Sequence, residues 1–172
     1  SSPNTSSASR RPSSDGSTRQ YLTTGRQHAP VTAVDPTAVE TYLVSEHADV
    51  LDAVRTCAAA SAAAETGESR SDTSAVREGT EARLRSAGVW EYLPRVLAGC
   101  VEQTGNRLRA PPVAAPPYVA ATATGVVLRA TLDDGRLVVS IEALAVERTD
   151  RGPMLRARDV PGEEVVRVEW RQ

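Results

Sequence analysis

The alternation of apolar and polar positions is clearest in residues 118–148. Val126, Leu128, Ala130 and Leu132 alternate with Val127, Arg129 and Thr131, the period-two pattern of a half-buried strand. Leu137, Val139, Ile141 and Ala143 repeat it after Asp133-Asp134-Gly135-Arg136. An Asp-Gly pair between two such runs predicts a hairpin, because Gly tolerates the positive φ that tight turns demand. Further on, residues 154–158 predict a short strand. Val166, Val168 and Trp170, alternating with Arg167, Glu169 and Arg171, predict a last one. The turns between them fall at residues 150–153 and 160–162.

The first half of the chain carries a different period. Asp35-Pro36 is a helix start, since Asp caps free amides and Pro suits the first helical position. Val39, Leu43, His47, Val50, Val54 and Cys57 follow at spacings of three and four, one face of an α-helix that is free to break near Ser45. Alanine-rich residues 58–64 continue it, and residues 65–72 form a polar connection. A weaker helix over 73–87, with Val76, Leu84 and Ala87 on its apolar face, ends at Gly88. Pro94 opens a last helix in which Val96, Leu97, Cys100 and Val101 face inward, with Gly105 as its cap. Two Pro-Pro pairs in residues 109–117 predict a stiff, extended connector, because proline fixes φ and removes the amide donor.

The expected class is therefore α+β: three to four helices packed on one face of a C-terminal antiparallel β-meander of three to four strands. Residues 1–33, rich in Ser, Thr and Arg, are expected to be a disordered tail. Residues 34–172 are expected to be a single domain, with a helical half (34–108), the connector (109–117) and the meander (118–172). No apolar run approaches the length of a membrane span, and no hydrophobic leader core opens the chain, so a cytoplasmic protein is expected.

Residues 111–139 (PPVAAPPYVAATATGVVLRATLDDGRLVV), following a helix that ends in Thr104-Gly105, resemble uncharacterised proteins of haloarchaea. Those combine a helical N-terminal half, a Pro-rich connector and a C-terminal β-meander, and the resemblance spans residues 36–170. It implies a halophilic cytoplasm and brings no activity, cofactor or catalytic residue. Composition adds a GC-rich genome: all 20 basic residues are Arg, Phe is absent and Ile141 is the only Ile. The net charge of −2 is less acidic than a haloarchaeal surface usually is, and an actinobacterial origin fits it better.

Candidate chemistry is sparse. His28, His47, Cys57 and Cys100 lack the close pairs that zinc sites use. His47 and Cys57 share a helix face but stand about 15 Å apart at the usual helical rise. Both Cys lie on apolar faces, where free buried thiols are expected. Without Lys there is no phosphate-binding P-loop, and no nucleotide-fold, esterase or zinc-protease motif occurs. Asp133-Asp134 reads as a turn, and Glu142 and Glu147 read as solvated or paired with Arg129, Arg148 or Arg167. No catalytic residue, cofactor or metal ligand is assigned.

Binding remains. Arg129, Arg136, Arg148, Arg156, Arg158 and Arg167 are the candidate surface on the sheet's polar face, mixed with acids. The last strand offers an exposed edge for pairing. The expected function is a non-enzymatic, protein-binding domain. The alternative is weak nucleic-acid association through Arg10, Arg11, Arg19 and Arg26 of the tail. An enzyme without a recognisable motif comes third.

Overall fold

The computed structural model describes residues 34–65 and 73–172. The N-terminal tail and most of the polar connection at 65–72 lie outside the described residues. Asp35 opens the first helix as expected, its side chain accepting from the Thr37 amide at 2.9 Å. The helical run is α1 (Pro36–Glu46), α2 (Ala48–Ala64), α3 (Thr73–Ser86) and α4 (Leu93–Gln103), with a 3-10 turn (Trp90–Tyr92) leading into α4. The break between α1 and α2 falls at His47, two residues beyond Ser45. There the His47 imidazole Nε2 meets the Tyr42 hydroxyl at 2.9 Å, and the ring lies edge-on between Tyr42 and Tyr92.

The strands are β1 (Val119–Ala121), β2 (Gly125–Leu132), β3 (Gly135–Glu142), β4 (Leu144–Thr149), β5 (Gly152–Ala157) and β6 (Val166–Arg171), with a one-turn helix α5 (Gly162–Val165) before β6. The expected α+β class holds, with helices in the N-terminal half and antiparallel strands after them. One detail differs from a consecutive meander. The main sheet runs β1-β2-β3-β6, and β4-β5 form a separate hairpin. The cause lies at Ala143 and Leu144, whose amides both donate to the Thr124 carbonyl, at 2.8 and 2.9 Å. Both side chains are buried, which breaks the period of two and turns the chain out of the sheet. The space beside β3 is then taken by β6, with Val139 opposite Val168.

The inward residues of the sheet, among them Val126, Leu128, Ala130, Leu137, Val139 and Ile141, share one core with Val39, Leu43, Leu51, Val54, Leu93 and Leu97 of the helices. α1 lies against β6 and α4, while α4 also covers β2. Gly125 is required by close approach: a Cβ there would stand 1.9 Å from the Ile141 carbonyl oxygen. Trp90 is fully buried and donates its indole N–H to the Ala114 carbonyl at 3.0 Å, tying the proline-rich connector to the helical layer.

Candidate functional site

The polar face of the main sheet is built by strand register. Val127, Ser140 and Arg167 form one cross-strand row; Arg129, Val138 and Glu169 the next; Thr131, Arg136 and Arg171 the third. Long polar side chains cover apolar surface with their stems while the charged heads stay in water. That fits Val138, which is only 6% exposed between Arg129 and Glu169 although it points away from the helices. Four guanidiniums (Arg129, Arg136, Arg167, Arg171) share this face with two carboxylates (Glu142, Glu169).

The pairing among them is uneven. Arg171 binds Glu169 through Nη2 at 2.6 Å and Nε at 3.0 Å. The hydrogen bond and charge of Arg171 hold the Glu169 carboxyl below its ordinary range. Arg167 reaches Glu142 only at 3.9 Å. Arg129 and Arg136 make no ion pair among the described residues. Arg136 also stands directly opposite Arg171, so their like charges repel across the strands.

Of the six arginines singled out in the sequence, three are therefore brought together: Arg129, Arg136 and Arg167. Arg148 and Arg156 sit on the separate β4-β5 hairpin, where Arg156 pairs with Glu147 at 2.5 Å. Arg158 is half-buried and turned to the backbone, donating to the Glu142 and Glu164 carbonyls at 3.3 and 3.1 Å. Its own carbonyl and that of Val160 accept from Arg55 of α2, at 3.3 and 2.8 Å. Arg171 was missed, although its spacing of four from Arg167 on an alternating strand puts both on one face. The basic tail is outside the described residues.

Reactive groups are scattered. Cys100 is fully buried, and burial pushes its thiol up to about 12, so it stays protonated at neutral pH. Burial also raises Cys57. Tyr42 is raised, first by burial and then by Cys100 beside it. Among the described residues no three of His, Cys, Asp and Glu converge as a metal ion would need. An open groove of about 950 Å³ runs between α4 and the connector, floored by Pro94, Ala98, Leu108 and Pro112 and rimmed by Arg95, Arg107, Glu91 and Glu102. The two carboxylates flank nearly the full length of α4, too far apart to share a proton.

β6 forms one margin of the main sheet. Beyond its ladder with β3, no hydrogen bond among the described residues reaches its backbone. No described residue pairs with its outer N–H and C=O groups, and such a row is the template on which another strand pairs. No described helix is long and apolar enough to cross a membrane.

These features define a small α+β domain with a basic sheet face and a strand edge that no described residue pairs. The model of one protein family matches residues 37–171, and the chain belongs to that family, described as Domain of unknown function (DUF7988). No curated protein and no solved structure matches it.

Proposed function

We propose that this chain is a non-enzymatic, cytoplasmic protein-binding domain that receives a partner strand on the edge of β6, flanked by the guanidiniums of the outer sheet face. The observation that carries the reading is the outer row along β6, which no described residue pairs. A docked strand gains main-chain hydrogen bonds there, and alternate side chains set the specificity. The surplus of positive charge on the same face selects against basic partners.

The test is site-specific photo-crosslinking in the native host. A photoreactive residue at position 169 on β6 should give a discrete protein adduct that is absent when the same group sits at position 81 on α3. Equal labelling from both positions, or no adduct from 169, would remove the reading.

A further inference from the structure

We infer that the partner strand on β6 is β6 of a second copy of this chain, joined antiparallel about a two-fold axis at Val168. This rests on the edge-docking reading above and names its occupant. In an antiparallel pair, directly opposed residues share a face of the sheet, so the inward Val166, Val168 and Trp170 must oppose one another and the outward Arg167, Glu169 and Arg171 likewise. That leaves few registers. Centred on Glu169, the pair sets Glu169 against Glu169 and Arg167 against Arg171. Centred on Arg167, it sets Arg167 against itself. Like charges directly opposed are destabilising. Centred on Trp170, Glu169 faces Arg171, but only residues 168–172 overlap, and Val168 faces Gln172.

Centred on Val168, the strand is complementary to itself. Arg167 faces Glu169 of the second copy and Glu169 faces its Arg167, giving two cross-strand ion pairs on the outer face. On the inner face Val168 meets Val168, and Val166 meets Trp170 twice over. Trp170 is only half-buried in the single chain, so this apolar contact is there to be made. Arg167, whose nearest carboxylate in its own chain is 3.9 Å away, gains a close partner. The result is a continuous eight-stranded sheet in the order β1-β2-β3-β6-β6-β3-β2-β1, following from the four-stranded order of one chain.

Other edges lack this property. β1 has three residues, too few to hold a register. β4 centred on Val146 would set Ala145 against Glu147 and Leu144 against Arg148, with neither charge pairing nor apolar matching. β6 also has no Pro and no break in its alternation, so its ladder can extend without interruption.

The test is sedimentation velocity of the full chain across a wide concentration range, with R167E, E169R and the double exchange R167E/E169R. The two changed side chains point outward, and thermal melts check that each variant folds. The expected result is a dimer that each single exchange weakens about tenfold or more and that the double exchange restores to within about threefold. A second arm places V168C in a C57S background under glutathione disulfide. The two-fold register opposes residue 168 to itself, so a disulfide-linked dimer forms there and not with E169C. A wild-type chain that stays monomeric at every concentration overturns the inference. So does a dimer indifferent to the charge exchanges, or one that V168C does not link. A monomer whose position 169 still crosslinks a different protein overturns the two-fold pairing and leaves edge docking intact.

Discussion

A carboxylate introduced at position 139 and the same group at position 131 meet opposite surroundings. Val139 is fully buried between β2 and β6, whereas Thr131 lies on the exposed face. Val139→Asp places an unpaired charge in the core and should lower the unfolding free energy by more than about 4 kcal/mol, enough to unfold the domain in urea titrations. Thr131→Asp should stay within about 0.5 kcal/mol. Equal effects would mean that the two faces of β2 and β3 are exchanged. A second residue contrast concerns Gly99 on α4. A Cβ there would stand 2.0 Å from the Tyr42 hydroxyl oxygen and 2.6 Å from its ring carbon, so Gly99→Ala forces the Tyr42–His47 pair apart. A loss of about 1–3 kcal/mol is expected by thermal unfolding, and an unchanged melt would contradict the packing of α1 on α4.

At the scale of elements, a hydrogen bond from the Trp90 indole to the Ala114 carbonyl ties the connector to the helical layer. Trp90→Phe keeps most of the buried ring and leaves that carbonyl unpaired, at about 1–3 kcal/mol. Hydrogen exchange should quicken at residues 113–115 while β2 and β3 keep their protection; uniform quickening would show that the connector has no independent anchor. The β2-β3 hairpin was legible in the sequence, because both strands alternate on either side of Asp133-Asp134-Gly135, although the turn itself is Asp133-Asp134 and Gly135 already belongs to β3, paired with Leu132. α4 was legible too, from Pro94 and an apolar face at helical spacing. The pairing of β3 with β6 was not, since neighbouring strands usually pair and nothing local assigns β6 to β3. The clue was Ala143-Leu144, two adjacent apolar residues that interrupt the alternation. The helix break, expected near Ser45, falls at His47, because the apolar spacing runs straight through it and only Tyr42 and Tyr92 in space give the imidazole its setting. One turn of helix at Gly162–Val165 replaced part of an expected turn. On the candidate surface, alternation identified Arg129, Arg136 and Arg167, but the departure of β4-β5 from the sheet separated Arg148 and Arg156 from them.

At the scale of the whole molecule, titration and association both follow from what is buried. The Cys100 thiol ionises near its ordinary 9.0 when unfolded and at about 12 when folded. The folded chain therefore holds this proton more tightly, and the associated stability is complete below pH 9 and is lost as pH rises toward about 12. Tyr42 and Cys57 shift in the same direction. Melting temperature should fall as pH rises from 8 to about 11, and less steeply in Cys100→Ala once its lower baseline is subtracted; parallel slopes would contradict the burial of this thiol.

The open edge of β6 is probed most directly by amide hydrogen exchange, read residue by residue along β6 at low and at high protein concentration. Amides directed at β3 should be protected at both. The alternate amides, directed outward, should exchange fast in the dilute protein and become protected as concentration rises. Protection of every β6 amide in the dilute single chain would show the edge already covered, and with it the docking surface gone.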